Sequence, residues 1–236
     1  MRILYTNKSI FRFGLYSSLC SIVFLTGCTA TQAPARVDRP DSSAAVVKTD
    51  SKLSEVASTP ATATTIEEDL WQKLAQADEE TYVLLLRHAI APGTGDPTNF
   101  QLDDCATQRN LSEEGRQQAV AIGEAFRSRD IPVIEVLSSQ WCRCLETAEL
   151  INVGSVEPFL PLNSFFRDRA AAEAQTAEVQ DYVAANGDRP GVIIMITHQV
   201  NITALSGIFP QSGSAVVVEV NDGQLDVLGQ ILEERP

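Results

Sequence analysis

Tyr82-Val83-Leu84-Leu85-Leu86-Arg87-His88-Ala89 is an unbroken apolar run that ends abruptly in two cationic or titratable side chains. A run of this length without polar alternation is expected of a strand covered on both faces, as in a parallel sheet. Val192-Ile193-Ile194-Met195-Ile196-Thr197-His198 repeats the pattern, and Val133 to Leu137 is a shorter version followed by Ser138, Ser139 and Arg143. Helical spacing lies between them: Ile66 to Ala77, Ser112 to Ser128 with an N-cap serine and two acids, Trp141 to Ile151, Ala170 to Ala185, and a helix from near Gln199. Asn221-Asp222-Gly223 separates strand candidates Ala215 to Val220 and Leu225 to Ile231, which predicts a hairpin. Alternating strands and helices imply an α/β domain with a mostly parallel central sheet and a ligand site at the carboxyl ends of its strands.

Composition narrows the chemistry. The chain has 236 residues, with 18 Lys+Arg against 31 Asp+Glu. An acidic chain lacks the positive surface on which backbone-driven nucleic-acid binding depends, so DNA and RNA are not expected partners. His88 and His198 are its two histidines, which excludes a metal site built on several imidazoles. Any metal site would have to rest on carboxylates or thiols.

The N-terminus reads as an address. Arg2, Lys8 and Arg12 precede an apolar run from Phe13 to Leu25, too short to span a bilayer comfortably. The run ends in Leu25-Thr26-Gly27-Cys28, which resembles the lipobox of bacterial lipoproteins, so residues 1–27 are expected to be removed and Cys28 to carry lipid. The processed chain would then hold 15 basic and 31 acidic residues, a net of −16. From Thr29 to Thr65, 23 of 37 residues are Ala, Thr, Ser or Pro, with no aromatic residue. Such a segment cannot offset its ordering entropy by burial and is expected to act as a flexible tether over 28–65. Residues 66–236 form the folded domain. The expected location is the cell envelope, lipid-anchored and facing periplasm or exterior.

Three strand ends deliver Arg87, His88, Arg143 and His198 to one edge of the sheet. Either histidine alone would fit a hydrogen-bonded rim position; their joint placement with two arginines favours chemistry. Arginine forks match phosphoryl oxygens, and a neutral imidazole is a competent nucleophile toward phosphorus.

At these residues the sequence resembles the histidine phosphatase superfamily, the phosphoglycerate mutase-like proteins. Arg87-His88-Ala89 looks like its Arg-His-Gly/Ala signature, Leu111-Ser112-Glu113-Glu114-Gly115 with Gln118-Ala119 like its helix start, Ser138 to Ala148 like its second arginine motif, and Thr197-His198 like its late histidine. The resemblance covers about Thr81 to Val220 and implies a three-layer α/β/α fold. It further implies that His88 attacks phosphorus and is transiently phosphorylated, while Arg87, Arg143 and His198 surround the phosphoryl oxygens. The expected activity is that of a metal-independent phosphatase acting on a small phosphorylated substrate. The alternative is a catalytically weak lipoprotein that binds phosphoryl ligands; a glycolytic mutase is disfavoured by export.

The usual proton donor is missing from both of its usual places, which hold Ser164 and Gln199. Either the leaving group departs with little help, as from a phosphoramidate or an activated ester, or an acid comes from elsewhere. The loop from Ile90 to Asn110 carries Asp96, Asp103 and Asp104, and Asp168 follows Ser164. Asp103 or Asp104 is nominated as donor, and Arg109 with Asp104 as substrate-contacting residues. Of the cysteines, Cys20 lies in the signal peptide, leaving Cys105, Cys142 and Cys144 for an oxidising compartment. One bridge from Cys105 to Cys142 or Cys144 is expected. Spacing does not decide between them, and Cys105–Cys144 is the pairing adopted.

Overall fold

The computed structural model of the protein describes residues 60–221 and 223–232. The expected signal peptide, the expected lipidation site Cys28 and the expected tether as far as residue 59 lie outside the described residues.

A six-stranded sheet is ordered β3 (Val156–Pro158), β2 (Val133–Ser138), β4 (Gly191–Thr197), β1 (Thr81–Arg87), β5 (Ala215–Asn221) and β6 (Gln224–Ile231). The first four are mutually parallel, while β5 and β6 form the antiparallel C-terminal hairpin. Among the described residues, five α-helices flank the sheet: α1 (Pro60–Ala75), α2 (Glu113–Ser128), α3 (Cys142–Ile151), α4 (Ala172–Asn186) and α5 (Gln199–Ser206). Helical backbone therefore begins six residues before the expected Ile66, with Pro60, whose fixed φ suits a first turn, opening α1. The edge strand β3 has three residues, too few to show a readable period.

The unbroken apolar runs are explained by two cores. Tyr82, Leu84 and Leu86 of β1 pack with Val192, Ile194 and Ile196 of β4 against apolar faces of α1, α2 and α3. Val83 and Leu85, with Ile193 and Met195, face the other way, onto Val179 and Val183 of α4 and Ile202 of α5. The sheet thus has helices on both faces, and every residue of β4, and of β1 before Arg87, is buried.

β1 and β4 pair in parallel register, with Arg87 opposite Thr197, so His88 and His198 leave the sheet side by side. The backbone N–H of His88 donates to Thr197 O at 3.0 Å, which extends the ladder one residue past the strands. After His88 the chain turns against the first turn of α2, whose N-cap Ser112 accepts from Gly115 N. At Gly115 a Cβ would lie 2.1 Å from Ile90 O, so only glycine allows this approach.

Candidate active site

Arg87, His88, Arg143 and His198 converge at the carboxyl ends of β1, β2 and β4, around a cavity of about 360 Å³. That volume is of the size that holds a small molecule. Both histidines are buried, and their ring centroids are 5.5 Å apart.

The His88 ring is set by its own backbone: Nδ1 lies 2.8 Å from Ala89 O. A carbonyl can only accept, so Nδ1 carries the hydrogen and Nε2 carries the lone pair. Burial, and then the positive charge of Arg143, holds the His88 imidazole neutral well below its ordinary pKa of 6.5. Its neighbour His198 is held neutral by the same two causes. The loop after His88 is fixed in turn, since Ala89 N donates to Thr147 Oγ1 of α3 and Ile90 N to Gln118 Oε1 of α2.

Four arginines, Arg87, Arg109, Arg143 and Arg167, line the cavity. Arg87 donates through Nη1 to Pro210 O at 2.9 Å, while its buried Nε has no partner. Arg143, at the start of α3, has a buried Nε that is likewise unpartnered. Arg109 commits Nε to Gly95 O at 2.8 Å and Nη1 to Ala91 O, so it holds the 90–110 loop closed while lining the cavity. Burial and mutual repulsion depress the pKa of Arg87 and bring that of Arg109 to about 10.

Of the carboxylates lining the cavity, Asp96 is the one paired with Arg143. Its Oδ1 accepts from Arg143 Nη1 at 2.8 Å and Arg109 N at 3.1 Å; its Oδ2 accepts from Arg143 Nη2 at 3.3 Å and Trp141 Nε1 at 3.1 Å. Burial opposes ionisation, but the Arg143 bonds and charge outweigh it and leave the pKa below the ordinary 3.8. The nominations of Asp103 and Asp104 are corrected here. Asp104 is exposed and accepts from Ala106 N, capping a short turn at Cys105–Thr107, and neither residue lines the cavity. Aspartates in loops serve turns in this way because their short side chains reach backbone N–H groups two residues on. Asp168 and Ser164 do line the cavity.

The disulfide is also corrected: Cys105 is bonded to Cys142, and Cys144 is the free, buried thiol. On a helix two residues subtend about 200°, so when Cys142 faces the loop Cys144 faces the sheet. Its Sγ lies 3.7 Å from Thr197 O and 3.6 Å from His198 Nε2, and burial pushes the thiol up to about 12. Three further residues went unnoticed in the sequence. Gln108 accepts from Cys142 N, Asn163 accepts from Gln140 N, and Arg167 donates to Asp96 O and Pro97 O. Polar residues in loops carry no periodicity, so nothing local marks such bonds. Among the described residues no three of His, Cys, Asp and Glu gather as a metal site would require.

Residues 83–163 match the family model of the histidine phosphatase superfamily, branch 1. That stretch of the histidine phosphatase match holds His88, Arg109 and Arg143, with His198 beyond it. Among solved structures, Bacillus stearothermophilus YhfR is similar, with a TM-score of 0.51 at 16% identity over 66% of this chain and 98% of that one. A phosphoserine phosphatase from Entamoeba histolytica, in complex with 3-phosphoglyceric acid, gives a TM-score of 0.50 at 13% identity, again over 66% and 98%. At such identities the likeness is one of fold. No curated protein gives a significant match.

Proposed function

We propose that this chain is an exported, lipid-anchored histidine phosphatase that hydrolyses a small phosphomonoester or related phosphoryl compound through a phosphohistidine on His88. The observation that carries this reading is the tautomer of His88. Nδ1–H is tied to Ala89 O, so the Nε2 lone pair is free in a ring that burial keeps neutral, and that ring lines a cavity edged by arginines.

Attack by Nε2 forms an N–P bond while the leaving oxygen takes the electron pair of the breaking P–O bond; water then reverses the sequence and frees His88. Charge on the phosphoryl oxygens is met by Arg87 and Arg143, whose buried Nε–H groups have no protein partner. Charge-assisted hydrogen bonds contribute roughly 1.5–3 kcal/mol each, so either arginine is expected to matter by at least about tenfold in rate. The match over residues 83–163 supports the family, and the Leu25-Thr26-Gly27-Cys28 sequence supports the anchor.

The test is turnover of p-nitrophenyl phosphate by wild type and by His88→Ala, with acid-labile, base-stable phosphoenzyme trapped by rapid quench. Wild-type turnover with a phosphoenzyme absent from the variant is expected; phosphate binding without turnover would make the protein a phosphoryl-ligand binder instead. For the anchor, Cys28→Ser should release the protein from the membrane fraction.

A further inference from the structure

The five N–H groups of Arg143 can be accounted for one by one. Nη1 is taken by Asp96 Oδ1 and by Arg109 O at 3.3 Å, and Nη2 by Asp96 Oδ2 and by His198 Nδ1 at 3.3 Å. Nε–H alone is left without a partner. Nε–H can meet a phosphoryl oxygen as it stands, but a phosphoryl group that takes the Nη1/Nη2 fork must take the place that the Asp96 carboxylate holds. Asp96 would not be expelled from the cavity by this exchange. Its bonds from Arg109 N and Trp141 Nε1 do not involve the guanidinium, and its loop is tied down by Arg167.

We infer that Asp96 is the proton donor of the reaction, released for that role when the substrate's phosphoryl group displaces it from Arg143. This rests on the phosphatase reading. It fills the role left open at Ser164 and Gln199 with a residue whose side chain is only 8% exposed, lines the same cavity as His88, and sits on the charge that the substrate must claim. Beside Arg143 the carboxylate is anionic; parted from that cation and placed next to a phosphoryl dianion, it takes up a proton from solvent. In the first step His88 Nε2 bonds to phosphorus, the P–O bond breaks, and the leaving oxygen receives the Asp96 proton. In the second, water attacks phosphorus, Asp96 accepts the proton of that water, and the N–P electron pair returns to Nε2.

The experiment is kcat/KM for a series of phosphomonoesters from alkyl to p-nitrophenyl, measured for wild type, Asp96→Asn and Asp168→Asn. Because kcat/KM reports only the steps up to leaving-group release, it isolates the first proton transfer. Asp96→Asn is expected to lose about 10²- to 10⁴-fold on alkyl esters and under tenfold on p-nitrophenyl phosphate. An equal loss on all esters would reduce Asp96 to a positioning residue for Arg143, and the selective loss appearing in Asp168→Asn would move the role there; either overturns the proposal. Wild type provides a check that needs no variant: a shallow dependence on leaving-group pKa is expected, and a steep one shows that no donor acts. Absence of wild-type turnover on every ester, with phosphate bound, would instead overturn the phosphatase reading itself.

Discussion

Ser139 Oγ lies 2.8 Å from His198 Nε2, and the direction of that bond is settled on the far side of the ring. Arg143 Nη2, which can only donate, faces Nδ1 at 3.3 Å. Nδ1 must accept, so Nε2 carries the hydrogen and gives it to Ser139, whose own hydroxyl passes on to Asn163 Oδ1. Ser139→Ala removes the oxygen acceptor and leaves the buried N–H only the weak sulfur acceptor of Cys144 at 3.6 Å, at a cost of about 1–3 kcal/mol, or roughly 2–10 °C in Tm. With the ring free to change tautomer and repel Arg143, kcat/KM should fall about tenfold or more. Ser139→Thr, which keeps the hydroxyl, should retain most of both. Calorimetry and steady-state kinetics on the two variants check this, and an unchanged Ser139→Ala would contradict the assigned tautomer.

Acid should destabilise the protein in two separate ranges. His88 and His198 have folded pKa values well below 6.5, so below that pH the unfolded chain binds more protons than the folded one. Stability is complete above 6.5 and declines as the pH falls beneath it, with a slope of at most about 2.7 kcal/mol per pH unit for two protons. Asp96, depressed below 3.8, contributes stability that is complete above 3.8 and is lost as the pH falls beneath it. Urea unfolding at closely spaced pH values would show both, and a flat profile between pH 7 and 5 would refute the histidine part.

Reduction should act on stability and catalysis together. The Cys105–Cys142 bridge spans a sequence separation of 37 residues, for which loop-closure entropy gives about 3–4 kcal/mol. Cys105→Ser/Cys142→Ser should melt about 6–16 °C lower and lose activity through the loop that carries Asp96 and Arg109. Peptide mapping without reductant should find Cys105 joined to Cys142, and Cys144 alkylated only after denaturation.

Gly115→Ala tests the junction between the histidine loop and α2. The added methyl would meet Ile90 O at 2.1 Å, and that carbonyl also accepts from Ser112 N at 3.0 Å, so neither partner yields easily. Overpacking of this kind costs about 1–3 kcal/mol or more, and Ile90 is two residues from His88. Both Tm and kcat should drop, whereas Glu114→Ala, at an exposed neighbouring position, should stay within about 0.5 kcal/mol.

The sequence was most legible where burial imposes a period. Two-sided burial makes β1 and β4 read as continuous apolar runs, and the ends of those runs place both histidines on one edge of the sheet. The hairpin followed from its turn residues, and the start of α2 from Ser112. Legibility failed where the deciding contact is between loops. Asp96, Asp103 and Asp104 are alike along the chain, and only the fold shows that the first meets Arg143 while the last caps its own turn. Likewise Cys142 and Cys144 differ by the angle at which α3 presents them, which depends on how the helix packs and not on spacing. The start of α1 was missed because its first turn is made of the same Ala and Thr residues as the segment before it.

The parallel register of β1 and β4 has a consequence for how such a protein can change its diet. Arg87, His88 and His198 are anchored in one inflexible piece of sheet, with Arg87 facing Thr197 across the ladder. Asp96 and Arg109 ride on a stretch of chain attached at its far end by a covalent bridge and by a few polar ties to α3. On the proposed phosphatase reading, the machinery of attack and the part that greets the substrate are thus separate workpieces. The latter could be reshaped residue by residue, as a craftsman swaps the head of a tool, while the handle stays in the same grip.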